Sequence, residues 1–408
     1  MPNDTPDTKV DTKPLAQPLR VGRLDLQHRI ALAPLTRFRA NKDHVHGDLA
    51  VEYYAQRAGT PGTLLISEGT FITARAGGFG HVPGIWNAEQ VASWKKITDA
   101  VHARGSYIYC QLWALGRAAL PQYTPDNDVV SSGDIPKDDN SPKPRPLTVS
   151  EIDDYVDSYV AAARNAIEAG FDGVEIHNAN GYLLDQFLQT SANNRKDAYG
   201  GSVENRARLT LRVANAVAAA VGQDRTGLRL SPYERYNGMN MPGSGIVETF
   251  SYVLRSLAPL GLAYIHLTEP RVSGQLQSRE DSGHGVDESL HWASNLWFGH
   301  PDAEDEAKRL ARVEQLPPVD GLPASTNVLI LAGGYVPATA AARVAEADAK
   351  GDRVAIAFGR WYISNPDLPK RILDGLPLTP YFRPTFYLVE QAKGYTDYPF
   401  ADDTKPNL

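Results

Sequence analysis

Short apolar runs alternate with longer amphipathic segments along most of the chain. Eight runs of four to six residues are almost purely apolar, which is typical of strands buried on both faces of a parallel sheet. These runs cover residues 30–34, 63–67, 107–112, 173–176, 226–231, 263–267, 328–332 and 354–358. The segments between them have the apolar spacing of helices, as in residues 88–103 and 205–221. Ser150 is the predicted N-cap of one such helix, with Asp153 at the capping-box position.

This alternation predicts an α/β fold, a (β/α)8 TIM barrel, over residues 30–375. A doubly wound open sheet is the competing architecture. That fold usually has a glycine-rich turn directly after its first strand, and none follows Pro34.

Segments outside the repeat complete the predicted domain. Residues 18–30 alternate around Gly22 and predict an N-terminal β-hairpin lid. Residues 120–149 and 270–326 lack a sustained period, so we expect long loops after the third and sixth strands. One domain then spans residues 17–400, between a disordered N-terminal tail (1–16) and a C-terminal tail (401–408).

The amino-acid composition restricts the classes of protein to which the chain can belong. The chain has 408 residues, 42% of them hydrophobic and 22% charged, and a net charge of −7 without a basic block. These values argue against a nucleic-acid partner. No apolar run approaches the roughly 20 residues of a membrane span, and the N-terminus has no apolar signal region. Cys110, the single cysteine, lies in an apolar run and is expected to be a buried small hydrophobe. We expect a cytoplasmic monomer or homodimer.

Glycines and an arginine follow the last two predicted strands. In a barrel, the loops at the carboxyl ends of the strands build the active site. Gly333-Gly334 and Gly359-Arg360 would let backbone N–H groups approach an anion, with the charge of Arg360 beside them. The alternative is that Gly333-Gly334 is only a tight turn. Taken together, the two strand ends favour a phosphate-binding site.

Two further polar residues lie within apolar runs. Arg229 would be costly to bury without an anionic partner. That partner is either a carboxylate such as Glu175 or a ligand that becomes negatively charged. Gln111 is either a structural hydrogen bonder or a donor and acceptor for a flat heterocycle.

The fourth predicted strand ends in His177, followed by Asn180 and Tyr182. Two N–H donors that converge on one oxygen would polarise a carbonyl, and a phenol can deliver a proton. The alternatives are a buried, hydrogen-bonded histidine and a tyrosine that only packs on the loop. The ten histidines show no metal-ligand spacing, so no metal site is predicted.

The motifs in this order resemble the Old Yellow Enzyme family of FMN-dependent ene-reductases. The resemblance extends from about residue 17 to about residue 400. It rests on residues 33–37, 52–57, 67–70, 83–86, 111–113, 173–184, 197–206, 229–232, 358–360 and 394–399.

The resemblance implies an NAD(P)H-dependent reductase of the C=C bond in α,β-unsaturated carbonyl compounds. NADPH or NADH would reduce the flavin, and flavin N5 would then pass hydride to the β-carbon. His177 and Asn180 would hold the carbonyl oxygen, and Tyr182 would protonate the α-carbon. The implied FMN-binding residues are Pro34, Thr36, Gly69, Gln111, Arg229, Gly333, Gly334, Gly359 and Arg360. The implied substrate-lining residues are Phe79, Trp113 and Tyr387.

Two features depart from the family pattern. Arg117 stands where yeast-type relatives carry an aromatic residue, and residues 299–326 are longer than the family's loop.

Two other functions remain open. One is a barrel enzyme for a phosphorylated substrate, although none of the eight strand ends offers a Schiff-base lysine. The other is a flavin- or ligand-binding protein without turnover.

Overall fold

The computed structural model describes residues 11–270, 288–321 and 323–402. Eight parallel strands form a barrel, and we number them β1 to β8 along the chain. They are Ile30–Leu32, Leu64–Ile66, Tyr107–Trp113, Gly173–Asn178, Thr226–Leu230, Tyr264–Thr268, Leu329–Ala332 and Val354–Phe358. Each strand pairs with its neighbours in chain order, and β8 pairs with β1, which closes the barrel. The predicted (β/α)8 fold is confirmed.

Helices cover the outside of the barrel. They are Asp48–Arg57, Ala88–His102, Val149–Glu168, Leu183–Leu188, Val203–Val221, Gly243–Leu257, His291–Phe298, Ala303–Ala311, Pro337–Lys350, Arg360–Ser364 and Leu368–Leu373. The longer ones are amphipathic and bury one apolar stripe against the strands, as a surface helix does. Among the described residues, no helix combines the length and the apolar character that crossing a membrane requires.

Side chains alternate between the two faces of each strand. On β7, Leu329 and Leu331 pack outward among the helices, whereas Ile330 packs inward. On β8, Ile356 points outward and Ala355 inward. The apolar runs that predicted the strands therefore supply two separate cores, one around the barrel and one inside it.

An antiparallel hairpin of Leu19–Val21 and Leu24–Leu26 packs into the inner core. Its turn lies directly against the segment just before β5. A Cβ on Gly22 would be only 2.1 Å from the Asp224 carbonyl oxygen, so the turn has no room for a side chain there. The hairpin thus lies at the end of the barrel where the strands begin. The opposite end, where the strands finish, carries the predicted site.

Several local predictions differ from the structure. The N-cap of Val149–Glu168 is Thr148, not Ser150, and Thr148 and Glu151 form the capping box. The region after β6 contains a helix, His291–Phe298, which the sequence analysis had not predicted. Lys13–Ala16 form a 3-10 turn with Leu15 buried, so the ordered chain begins before residue 17.

Part of the predicted termini and loops lies outside the described residues. This applies to residues 1–10 of the N-terminal tail, to 403–408 of the C-terminal tail, and to 271–287 of the loop after β6. The loop after β3 contains three 3-10 turns and a short parallel pair, Val130–Ser131 with Arg145–Pro146.

Candidate active site

A layer of polar side chains lies inside the barrel on β3 to β6. Gln111 pairs with Glu175 in register, and Arg229 pairs with both His177 and His266. Partners in a parallel ladder point to the same face of the sheet, and all five side chains are buried. The sequence predicted three of these residues as site residues; Glu175 and His266 complete the layer.

Glu175 lies at the centre of this layer and is fully buried. One carboxylate oxygen accepts a hydrogen bond from Gln111 Nε2 at 2.7 Å, and the other is 2.8 Å from His266 Nδ1. Despite burial, which raises the pKa of Glu175, the neighbouring His266, Arg229 and Gln111 lower it below its ordinary value. Glu175 is therefore a buried carboxylate held by an amide and an imidazole.

Arg229 makes no ion pair within the described part of the chain. Its Nη2 donates to Thr268 Oγ1 at 3.2 Å, and its buried Nε has no hydrogen-bond partner among the described residues. Burial lowers the pKa of Arg229, while the charge of Glu175 raises it. Of the two partners considered for Arg229, the structure does not show the Glu175 ion pair. A buried guanidinium with one hydrogen bond is a ready partner for an anionic ligand.

A rigid turn carries Asn180. Asn180 and Gly181 both have left-handed backbone conformations, with φ of 57° and 73°. Side chains bind all four backbone polar atoms of these two residues. Asn180 N donates to Ser231 Oγ (2.7 Å), Asn180 O accepts from Asn237 Nδ2 (2.9 Å), Gly181 N donates to Asp185 Oδ2 (2.8 Å) and Gly181 O accepts from Gln186 Nε2 (2.8 Å). These bonds offset the cost of the strained backbone. They hold the backbone of Asn180, and with it the point from which the Asn180 side chain extends, in one position.

His177 and Tyr182 lie together against Trp113. The ring centroids of His177 and Tyr182 are 5.0 Å apart, and those of Trp113 and Tyr182 are 4.8 Å apart, both edge to face. Burial, together with the charges of Arg229 and His266, lowers the pKa of His177 well below its ordinary value. His177 is therefore neutral at neutral pH and donates one N–H.

The Tyr182 hydroxyl is a weak acid in this setting. Burial raises the pKa of Tyr182, and the side chain of Asn237 opposes that rise in part. The phenol therefore keeps its proton at neutral pH. It can release the proton only to a strongly basic atom, such as a carbon that has just gained negative charge.

An aromatic wall extends from this group toward the surface. The rings of Phe79 and Trp113 are 6.1 Å apart, those of Phe38 and Phe79 6.2 Å apart, and those of Phe38 and Tyr387 5.7 Å apart. Tyr387 is 45% exposed and forms the outer edge. The structure thus connects the three predicted substrate-lining residues, and the connecting residue is Phe38, which the sequence prediction omitted.

Two buried arginines hold the segment that carries Tyr387. Arg37 Nε donates to the Phe386 carbonyl oxygen at 3.2 Å, and Arg37 Nη2 donates to Gly394 O at 2.6 Å. Arg39 Nη1 donates to the same Phe386 oxygen at 2.7 Å. The C-terminal segment is therefore tied to the loop after β1 by charge-assisted hydrogen bonds.

The loops after β7 and β8 lie side by side because these strands pair in register. Gly333 and Gly334 have φ of 108° and 68°, a backbone that L side chains rarely adopt. Arg360 follows Gly359 and begins the helix Arg360–Ser364. The four residues predicted to bind a phosphate therefore share one corner of the barrel mouth.

The loop after β1 borders the same corner. Ala33 N donates to Phe358 O at 3.0 Å, so Pro34 and the half-buried Thr36 lie next to the end of β8. Gly69, after β2, is different: a Cβ there would lie 2.4 Å from the Trp113 ring. Packing against the Trp113 indole is therefore enough by itself to require a glycine at position 69.

Three residues of the site were missing from the sequence prediction, namely Phe38, Asn237 and His266. For His266 a signal existed, because it lies two residues after Tyr264 and so faces the same side of the sixth strand. Asn237 had no such signal, since its contact with Asn180 spans 57 positions of the chain. Within the described ranges, no group of three His, Cys, Asp or Glu residues is arranged to hold a metal ion.

Comparison with known proteins identifies the family of the chain. The model of the NADH:flavin oxidoreductase / NADH oxidase family matches residues 14–296. The chain is 46% identical over 390 residues to a chanoclavine-I aldehyde reductase of Penicillium roqueforti, covering 95% of this chain and 96% of the relative. It is 45% identical to an NADP-dependent oxidoreductase of Aspergillus flavus, with the same coverage.

Among solved structures, an Old Yellow Enzyme from a Pichia species superimposes with a TM-score of 0.79. The two chains are 34% identical, and the match covers 98% of this chain and 96% of the other. The chain therefore belongs to the NADH:flavin oxidoreductase / NADH oxidase family, the family of the Old Yellow Enzymes, and its cofactor is FMN.

Proposed function

We propose that this protein reduces the C=C bond of α,β-unsaturated carbonyl compounds, with NAD(P)H as the electron source. The observation that carries this proposal is the arrangement of His177, Asn180 and Tyr182. A neutral N–H donor lies against a phenol that retains its proton, and the rigid turn that joins these two residues in the chain carries an amide. Such a set suits a substrate that needs a polarised oxygen and a proton at a nearby carbon.

The residues around the barrel mouth fit FMN. The buried Nε of Arg229, which has no partner in the part of the chain that the structure describes, suits a ring that gains negative charge, and the amide oxygen of Gln111 suits a polar ring edge. Gly333, Gly334, Gly359 and Arg360 suit the phosphate. We assign Pro34, Thr36 and Gly69 to the same cofactor. FMN, when bound, supplies the hydride.

Side chains of the protein supply the hydrogen bonds to the substrate and the proton. His177 and Asn180 donate hydrogen bonds to the carbonyl oxygen and stabilise the negative charge that develops there. Tyr182 gives its hydroxyl proton to the α-carbon, and the Asn237 amide beside it eases the loss of that proton. Trp113, Phe79 and Tyr387 pack on the substrate and limit the access of water.

We infer that α,β-unsaturated aldehydes are the first compounds to test. The Penicillium relative is named for the reduction of an aldehyde. The name of the Aspergillus relative specifies NADP, which makes NADPH the first donor to try.

An anaerobic spectral experiment tests the proposal. The purified protein should show the yellow absorbance of bound flavin, NADPH should bleach it, and cinnamaldehyde or cyclohexenone should restore it in stoichiometric amount. The product should be the saturated carbonyl compound. Bleaching without recovery on addition of either alkene would refute the proposed reaction.

Ligand binding without turnover is the second candidate. The high pKa of Tyr182 favours it, because a phenol that keeps its proton can hold a bound phenolate or carbonyl by a hydrogen bond without transferring the proton. In that case, a substrate-like ligand would perturb the flavin spectrum but would leave the reduced flavin unoxidised.

A further inference from the structure

Arg117 is a buried arginine directly beyond β3, in the 3-10 turn Gly116–Ala118. Its guanidinium donates to the carbonyl oxygens of Ile135 (3.1 Å), Ser191 (3.3 Å), Asn237 (3.2 Å) and Gly238 (3.1 Å). These oxygens belong to three separate segments of the chain. No carboxylate in the described ranges forms an ion pair with it, so its hydrogen-bonding capacity is directed at loop backbone.

The guanidinium remains charged at neutral pH. Burial lowers the pKa of Arg117 to about 10, and the negative charges of Asp185 and Asp138 oppose that change. Hydrogen bonds from a charged donor to carbonyl oxygens are stronger than those between neutral groups. Arg117 is therefore a strong anchor for the loops it contacts.

One of these loops is the turn Tyr236–Gly238. Asn237 and Gly238 both have left-handed φ values, 58° and 73°. A Cβ on Gly238 would lie 2.2 Å from the Lys137 carbonyl oxygen, so the turn is pressed against the loop that follows β3. A turn of this kind keeps its shape only when its neighbours hold it.

The other side of the turn meets the proposed substrate grip. Asn237 Nδ2 donates to the Asn180 carbonyl oxygen at 2.9 Å. A second connection runs through Gln186: the Arg117 backbone N–H donates to Gln186 Oε1 at 3.1 Å, and Gln186 Nε2 donates to Gly181 O at 2.8 Å. The first path starts from the Arg117 side chain and the second from its backbone, so only the first depends on the arginine.

We propose that Arg117 is a positioning residue that sets the geometry of the Asn180 grip through the turn at 236–238. The inference rests on the proposed function, because it assigns Arg117 to the alkene half of that reaction. Both terminal nitrogens of the guanidinium donate to loop carbonyl oxygens, so these hydrogen bonds go to the loops and not to the reacting atoms. Loss of the guanidinium therefore acts by moving Asn180, not by removing a contact with the reacting atoms.

Arg117→Lys tests the proposal, because lysine keeps the charge but cannot reach several carbonyl groups in fixed directions. We expect its alkene half-reaction to slow about tenfold or more, mainly through weaker alkene binding, since a small displacement of a positioning group has effects of this size. Bleaching of the flavin by NADPH should change less than about twofold. The two half-reactions are measured separately, by anaerobic stopped-flow absorbance.

Arg371→Lys is the matched control. Arg371 is also buried and donates to two loop carbonyl oxygens, Pro377 O at 2.9 Å and Pro399 O at 2.8 Å. Among the described residues, its hydrogen bonds reach neither the Asn180–Gly181 turn nor residues 236–238. We expect Arg371→Lys to lower the melting temperature and to leave both half-reactions unchanged. If Arg117→Lys behaves in the same way, or slows both half-reactions equally, the positioning role is wrong.

Hydrogen–deuterium exchange separates this inference from the proposed function. The amides of Asn180 and Gly181 are bound to Ser231 and Asp185, and they should exchange faster in Arg117→Lys than in the wild type or in Arg371→Lys. This readout needs no alkene turnover. Unchanged exchange would overturn the inference, whereas failure of the wild type to reduce alkenes would overturn only the proposed function.

Asn237→Gly provides a second variant if Arg117→Lys does not fold. Glycine accepts the left-handed backbone of this position, and the substitution removes both the bond to Asn180 and the amide beside Tyr182, so exchange at Asn180 is the readout that reports the first loss by itself. Asn237→Gly should accelerate exchange at Asn180 and slow the alkene half-reaction. Combined with Arg117→Lys, its effect should be less than the product of the two single effects, because both changes break the same connection. Multiplicative effects would contradict the pathway.

Discussion

The two halves of the barrel interior are built from the same strands, yet they hold opposite kinds of side chain. Where the strands begin, Tyr109, Tyr264 and Ile330 pack with the hairpin leucines in one apolar cluster. Where the strands end, Glu175 and Arg229 lie buried among histidine and glutamine side chains. The first half resembles an ordinary core, and the second does not.

The energetic consequences of the two halves differ in sign. Burial of apolar surface stabilises a fold by roughly 25 cal/mol per Å². Burial of a charge costs several kcal/mol unless partners compensate for it, and the side chain of Arg229 makes one hydrogen bond within the described ranges. The apolar half, where the strands begin, therefore supplies stability that offsets the cost of the polar half, where the strands end. Substitutions in the apolar half should lower the free energy of unfolding, and substitutions in the polar half should lower the rate of alkene reduction.

The largest expected effect is that of Tyr182→Phe. Loss of the proposed proton donor should slow the alkene half-reaction by about 10² to 10⁴-fold, the usual contribution of general acid catalysis. Flavin content and bleaching by NADPH should remain near wild type, since the hydroxyl is not needed for either. Single-turnover reoxidation by cinnamaldehyde measures the change.

Tyr109→Phe is the control for Tyr182→Phe in the other half of the barrel. The Tyr109 hydroxyl donates to Asp224 O at 3.3 Å, so its loss should cost about 1 kcal/mol of stability. It should not alter reoxidation. Equal kinetic effects from the two variants would remove the distinction between the halves.

Leu26→Ala should produce the next largest effect, this time on stability. Leu26 is 2% exposed and packs in the inner core, and a Leu→Ala change at such a site costs about 2 to 5 kcal/mol. Urea unfolding followed by fluorescence measures this loss. At a temperature where the variant is folded, kcat/KM for the alkene should equal that of the wild type. A kinetic defect without a loss of stability would contradict the comparison.

Glu68 gives a prediction for pH. Burial raises the pKa of Glu68 to about 7, while the backbone N–H of Arg37 and the charges of Arg37 and Arg39 lower it. A carboxyl group whose pKa is raised by folding stabilises the fold below about pH 4.5, and that contribution is lost as the pH rises to about 7. The change amounts to roughly 3 kcal/mol, from 1.4 kcal/mol per pKa unit.

Glu68→Gln should remove this part of the pH dependence. Between pH 4.5 and 7, the free energy of unfolding should fall less steeply in the variant than in the wild type. Glu168→Gln, at an exposed position on the outside of the barrel, is the control and should retain the wild-type slope. Parallel curves for wild type and Glu68→Gln would show that Glu68 ionises normally.

The sequence predicted the barrel well because its strands are short and wholly apolar. That pattern depends on local composition alone, and it identified every barrel strand within a few residues. The site was predicted from polar residues at strand ends and from the family resemblance. Both signals are local, so they predicted His177, Asn180 and Tyr182 as site residues but not the contacts that hold them.

Several of the supporting contacts could not be predicted, because they join residues far apart in the chain. Glu175 and His266 are 91 positions apart, and Arg117 and Gly238 are 121 apart. Arg117 was visible only as a departure from the family pattern, without a partner. Its role depends on which loops the barrel brings to it, and this is a property of the closed fold.

The smallest expected effect concerns the outer helix Val149–Glu168, where the sequence pointed to the wrong cap. Thr148 Oγ1 accepts from Glu151 N at 3.2 Å, and Glu151 Oε2 accepts from Thr148 N at 2.7 Å. Thr148→Ala should cost about 1 kcal/mol of stability, and Ser150→Ala, already inside the helix, should cost almost nothing. Thermal unfolding distinguishes the two variants. Because this helix only covers the strands from outside, neither variant should alter alkene reduction; a kinetic change in Thr148→Ala would mean that the outer layer, too, positions the polar half of the barrel.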